Sequence, residues 1–391
     1  MTESPSAPSA LFSLGLRPFF LASALWAVVA MFLWLPAWMG VMEIPTAFDP
    51  VAWHTHEMLF GYAGAAAAGF LLTAVPSWTG SAAVKGAPLI GLLALWIVAR
   101  AAVFASGLNG PLMAALADVA FYGALALWTA RAVLASGNKR NFVVVVLIAL
   151  LGIAALLHHL EPLGVAETAE TAVTLGLAVF ALLVGVIGGR VVPNFTRNAL
   201  SKLGKTALPA PFGGVDKAAL GLLVAAMLAW VLLPDGPILA VLAGLAGLAN
   251  LARLARWQPL TCLGDPLLWV LHAGYLWLGL GLLLLAAGAA ELLPMAAAVH
   301  ALGVGAFGTM IIGIMTRATR GHTGRDLSVG WGTALIYGLV IAAAALRVVA
   351  AIWPETGIAG LHGAAGLWML GHLGFLLLYG PMLLKPRMGG A

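Results

Sequence analysis

The chain of 391 residues is 62% hydrophobic and 8% charged, where a soluble domain carries about a quarter charged residues. This composition belongs to a polytopic membrane protein, and the formal charge of +5, spread over loops, is not a nucleic-acid footprint. A single cysteine, Cys262, excludes an intramolecular disulfide, a multi-cysteine zinc site and an iron–sulfur cluster.

Taken in order, the first ten residues are polar and Pro/Ser-rich, without the basic n-region of a signal peptide, and read as a free N-terminus. Apolar runs of roughly 20 residues then mark membrane-spanning helices. Twelve are predicted, at 16–36, 54–75, 88–107, 111–131, 141–161, 170–190, 216–234, 237–255, 266–288, 293–315, 329–350 and 358–384. Pro and Gly punctuate the gaps, as at Pro88, Pro111, Pro234, Pro237 and Pro294. The polar stretch 191–215 reads as the longest connection and is too short for a domain. The chain is therefore expected to be one all-α integral membrane domain over 1–391.

Loop charge sets the orientation. With these spans, every Lys and Arg falls on one side except Arg100 and Arg347. By the positive-inside rule both termini are cytoplasmic.

Spans 2, 6 and 10 all run inward and all end in a Thr-bearing polar tail: AVPSWTG (74–80), RVVPNFTRN (190–198) and IMTRATRGHTGR (314–325). Their starts are about 120 residues apart, which suggests a threefold repeat of four-helix units. The blander account is that inward-going helices commonly end in basic, polar loops.

Nine histidines in so apolar a chain need an explanation. His54 and His56 open span 2, His158 and His159 close span 5, and His300 and His362 lie just inside spans 10 and 12, all toward the outer side. His372 is deeper, His272 lies in the inner half of span 9, and His322 follows span 10. Imidazoles at one depth on several helices can converge on copper or haem iron, which neutral imidazole suits. Glu57, Asp118 and Glu161 lie at similar depth and are candidates to orient an imidazole or relay protons. Arg100 and Arg347 could pair with haem propionates.

A histidine at a helix end is as often an interfacial residue, and His158 and His362 read that way. His54 and His56 point about 200° apart on a regular helix, so both cannot hold one ion unless the helix start is irregular. On the inner side, Arg17, Trp78, Arg190, Asn194, Arg197, Arg317, His322 and Arg325 form a basic group with His272 above it. It is either a set of topological anchors on anionic lipid or an anion pocket. Walker A, GxGxxG and CxxCH motifs are absent from the sequence.

The segments LRPFF (16–20), WHTHEMLFG (53–61), GFLLTAVPSWTG (69–80), GGRVVPNFTRN (188–198), HAGYLWLGLG (272–281) and HALGVGAFGTM…MTRATRGHTGR (300–325) resemble the NnrS family. This family comprises bacterial twelve-helix inner-membrane proteins of denitrification and nitrosative stress. The resemblance implies haem b, copper and a role in nitric-oxide tolerance, with nitric oxide as ligand and a quinol or cytochrome as electron donor for any reduction. The family's histidines fall on His54, His56, His272, His300 and His322, with His159 the match in LLHHLEPLG. His362 and His372 belong to no matched motif.

A fold-level analogy is to haem–copper oxidases, with twelve helices in three four-helix arcs. Their copper triad is missing here, since spans 6 and 7 carry no histidine. On these grounds His54 or His56 with His300 are the expected axial haem ligands, and His159 with the other histidine of span 2 is expected near copper. Two readings stand beside this one: a permease binding copper or haem in transit, and a structural partner of another redox protein.

Overall fold

The computed structural model describes residues 10–388. Residues 1–9, the start of the expected free N-terminus, lie outside the described residues. The described residues contain helices and no strand.

Twelve helices are long and apolar enough to cross a membrane. They are α1 Leu16–Trp38, α2 Pro50–Thr79, α3 Ala87–Phe104, α4 Pro111–Ala135, α5 Lys139–Leu160, α6 Ala169–Lys202, α7 Gly214–Leu232, α8 Pro237–Ala255, α9 Pro266–Ala289, α10 Met295–His322, α11 Trp331–Ile352 and α12 Pro354–Leu384. The chain is thus a multi-pass membrane protein with every expected span in place.

Local chemistry sets the ends. Asp49 caps α2, its carboxylate accepting from the amides of Val51 (2.8 Å) and Ala52 (3.0 Å), with Pro50 at the first helical position. Gly80 closes the same helix at φ +70°, a left-handed conformation that suits glycine. Gly-Pro pairs open α4 and α8, where the missing proline N–H costs nothing.

The structure corrects one boundary. The expected loop at 191–215 is helical as far as Lys202. Val192, Thr196 and Leu200, spaced by four, are all buried along one stripe, so the polar tail still packs as a helix.

The polar tails of α2 and α10 are also helical, to Thr79 and His322. Those same three helices carry the π-helical turns found among the described residues: Glu57–Ala63 in α2, Val184–Gly188 in α6 and Ala301–Gly308 in α10. A π turn widens the helix and frees backbone carbonyls for other donors. In α2, Tyr122 donates to Phe60 O (2.7 Å), Trp96 to Gly61 O (3.2 Å) and Ser23 to Tyr62 O (3.0 Å). A Cβ on Gly64 would collide with the Tyr122 hydroxyl, so this approach requires glycine. In α6, Arg253 Nη1 donates to Gly185 O (2.9 Å).

The contacts divide the chain into two compact units. The first comprises α1–α5 with the start of α6 (to Val173) and the ends of α10 (from Arg317) and α12 (from Phe375). Its centre is α2, the most enclosed helix, with 78% of its apolar window buried against 28% for α3.

The second unit contains the rest of α6–α12. It is tied by a buried polar network in which Arg253 donates to Asp216 (2.9 Å) and to the Tyr275 hydroxyl (2.8 Å), and Tyr275 donates to Asn250 (2.7 Å). The three guanidinium nitrogens of Arg253 all find acceptors, so this network is a structural tie.

Candidate functional site

In the first unit, α2, α3, α4 and α5 bring ionisable groups into one fully buried cluster. His56 ends the α-helical start of α2 and Glu57 begins its π turn. Arg100 lies on α3, Asp118 on α4, and His158 and His159 close α5. His56, Glu57, Asp118, His158 and His159 are all 0% exposed and Arg100 is 2% exposed.

Arg100 joins the two carboxylates: Nη1 donates to Glu57 Oε1 (2.6 Å) and Nη2 to Asp118 Oδ1. Trp26 Nε1 donates to the other Glu57 oxygen (2.5 Å). His56 Nδ1 lies 2.9 Å from Glu57 Oε1 and donates to it, which fixes the ring.

That bond turns His56 Nε2 toward Asp118 Oδ2, 3.0 Å away, a buried ion-pair contact without hydrogen-bond alignment. His159 Nε2 meets the same carboxylate oxygen at 2.9 Å. Ligand atoms of His56, Asp118 and His159 all lie within 4.8 Å of one another, a group able to hold a metal ion. With the histidines neutral, two carboxylates and one guanidinium leave the cluster one negative charge. A charge this deep is balanced either by a metal ion or by a proton on His56, which contacts both carboxylates.

Aromatic rings close the cluster. Phe48 lies 5.4 Å from His56, 5.4 Å from His158 and 5.5 Å from His159, and Phe60 lies 5.1 Å from His56. The connection carrying Phe48 is pinned to the turn after α3. Thr46 donates to Val103 O (2.9 Å), Ala47 N to Ser106 (2.8 Å) and Gly107 N to Pro45 O (3.0 Å). A Cβ on Gly107 would sit 3.0 Å from Thr46 O.

Several expectations change. Arg100, expected at haem propionates, spends both its Nη groups on Glu57 and Asp118. His158, expected at the interface, is fully buried, with its ring 5.1 Å from His56. Its position at a helix edge concealed this, because the Phe48 connection covers that edge. Glu161 stands outside the cluster, exposed, accepting from Ala169 N (3.1 Å). His54 stacks on Trp34 at 4.1 Å and is not in the metal-competent group, as the 200° divergence requires. The basic group near the other helix ends is divided: Arg17, Arg317, His322 and Arg325 belong to the first unit, Arg190 and Arg197 to the second. Arg17 is 3% exposed and donates to Leu383 O (2.8 Å) and Lys385 O (2.7 Å).

In the second unit, His272 meets Thr196 at 3.4 Å, and Thr196 also faces Cys262 at 3.9 Å. Burial pushes the Cys262 thiol up, so it stays protonated and unreactive. His300 and Arg347 belong to this unit and are half-buried.

The chain belongs to the NnrS family: the family model, described as NnrS protein, matches residues 10–387. A comparison with curated proteins returns no match.

Proposed function

We propose that this is a metalloprotein of bacterial nitric-oxide metabolism or nitrosative-stress tolerance, holding copper at His56, Asp118 and His159 in the inner membrane, with both termini cytoplasmic. The observation that carries the reading is that Nε2 of His56 and Nε2 of His159 both face one Asp118 oxygen, the first without an aligned hydrogen bond. A lone pair facing a carboxylate is unfavourable until a proton or a metal ion sits between them, and the second imidazole on the same oxygen favours the metal. Two imidazoles and a carboxylate suit a late first-row ion, copper among them.

The donor set fits a bare ion and not a porphyrin, since rings pack within 5.5 Å of His56 on several sides. We therefore withdraw His56 as an axial haem ligand and assign it to the metal ion. Bound copper would supply a site for nitric oxide. Glu57 holds the His56 ring, Arg100 keeps the two carboxylates together, and Phe48 and Phe60 exclude water. Nitric oxide is small and apolar and reaches such a site through the bilayer. Any reduction there draws electrons from a quinol or cytochrome. Haem b, the second proposed cofactor, needs other ligands.

The test is copper and iron analysis of the purified full-length protein with electron paramagnetic resonance before and after nitric oxide. We expect stoichiometric copper whose spectrum nitric oxide changes, with copper lost in His159→Ala and Asp118→Asn. Wild-type protein lacking copper, or copper unchanged in both variants, would overturn the assignment. A permease for the same ion would instead release it in a vesicle transport assay.

A further inference from the structure

Arg17, in the first turn of α1, is buried as deeply as Arg253 but is not satisfied in the same way. Arg17 is 3% exposed and Arg253 is 1% exposed. Arg253 finds an acceptor for each of its three nitrogens, whereas Arg17 uses Nη1 alone, for Leu383 O and Lys385 O at the end of α12. Its Nε and Nη2 have no acceptor among the described residues. A charged donor held out of water without an acceptor is costly.

The surroundings add positive charge instead of cancelling it. Leu16 N donates to Thr73 (3.0 Å), so this corner of the first unit lies at the opposite end of α2 from the metal cluster. The ends of α10 and α12 meet there. Met388 N donates to Thr323 O (3.0 Å), and a Cβ on Gly324 would collide with Met388 O. Arg325 is within electrostatic reach of Arg17, and Arg387 of His322. Arg325 N donates to Arg320 O (2.9 Å), which folds the chain back over the last turn of α10.

These cations lack counter-charge. The side chains of Arg320 and Arg325 meet backbone carbonyls, those of Asp326 and Thr323. Arg17, Arg320, Arg325, Lys385 and Arg387 make no ion pair among the described residues. Asp326 is the only carboxylate on segments 10–17, 317–326 and 383–388. An arginine that merely anchors a span reaches outward to the headgroups, and Arg17 does not. A neutral donor stands nearby. Thr319, one turn before Thr323, is 0% exposed, and its hydroxyl has no hydrogen-bond partner.

The chemistry of the occupant follows. It must carry negative charge to relieve the repulsion between Arg17 and Arg325, with oxygens enough for two guanidinium groups and a hydroxyl. Phosphate oxygens match guanidinium forks in this way.

We propose that the start of α1 and the ends of α10 and α12 form a phosphate site in the first unit, with Arg17 and Arg325 as its paired ligands and Thr319 as a further donor. The phosphate is that of a free anion or of an anionic phospholipid headgroup. The proposal goes beyond the copper reading and uses none of its residues.

The experiment uses full-length protein delipidated in a nonionic detergent. It reads the thermal midpoint as inorganic phosphate or short-chain phosphatidylglycerol is added, against chloride at matched ionic strength and short-chain phosphatidylcholine. A saturable rise is expected with phosphate or phosphatidylglycerol and with neither control. A rise with inorganic phosphate supports a free anion as the occupant, and a rise with the lipid alone supports a headgroup. In Arg325→Gln and Thr319→Val the half-saturating concentration should increase about tenfold or more, as expected for losing a hydrogen bond to a charged group. Arg17→Gln should lose the response and, with its tie to α12 gone, start from a lower midpoint. Lys139→Gln removes an exposed charge beside Asn138, which donates to Trp78 O at the same end of α2, and should respond as wild type. No saturable rise in wild-type protein overturns the proposal. So does a wild-type response in both Arg325→Gln and Thr319→Val, or an equal loss in Lys139→Gln.

Discussion

The histidines of the two units are oriented by opposite means. In the first, Glu57 holds His56 and Asp118 faces both His56 and His159. In the second, His272, His300, His362 and His372 each donate Nδ1 to the carbonyl four residues back. A ring steered by carboxylates sits in a field that attracts positive charge. A ring steered by its own helix is oriented by a carbonyl and gains no negative charge from it. The first arrangement suits a naked cation; the second supplies none of the negative charge that would hold one.

The comparison breaks hardest at Asp118. Asp118→Ala leaves Arg100 with half its counter-charge and removes the oxygen that both imidazoles face. Breaking a buried ion pair costs about 3–5 kcal/mol, so a large fall in thermal midpoint with complete loss of copper is expected. His159→Ala should lose copper with a smaller fall in stability, because it removes no buried charge.

Glu57→Gln keeps the shape of the side chain but weakens its hold on His56. Copper affinity measured by competition with a chelator should fall about 10–100-fold, the usual effect of losing the carboxylate that orients a ligating imidazole. His158→Asn sharpens the count of ligands. A change of about tenfold or less marks His158 as a wall, and loss matching that of His159→Ala makes it a third imidazole. Trp26→Phe removes one hydrogen bond to Glu57 and should lower stability by about 1 kcal/mol, read as a small shift in thermal midpoint with copper retained.

Much of this was legible in the sequence. The twelve spans follow from apolar run length, and His56, Glu57, Asp118 and His159 stood out because ionisable groups are rare at such depth. Their partnerships were hidden. Arg100 and Asp118 lie on different helices, and only packing reveals that the arginine serves two carboxylates at once. His158 looked interfacial because the chain that covers it, through Phe48, is an irregular connection with no periodicity to read.

The π turns were hidden for a related reason. A residue inserted into a turn rotates everything beyond it by about 100°, so faces counted at 3.6 residues per turn go out of register. The threefold pattern was nonetheless visible as three Thr-bearing tails. The backbone repeats it, placing a π turn in each of the same three helices and starting two of them directly after His56 and His300.

The pinned connection over the first cluster bears on when the metal arrives. Phe48 rests against three imidazoles, and the residues just before it, Pro45 to Ala47, are fastened to the end of α3 and the turn that follows. An ion held at the proposed site would exchange only when that fastening opens, so its loading would belong to biogenesis, before the connection docks. Its half-life against an external chelator should then be set by a local opening rate and be independent of chelator concentration. Gly107→Val, which crowds Thr46 O, should shorten it.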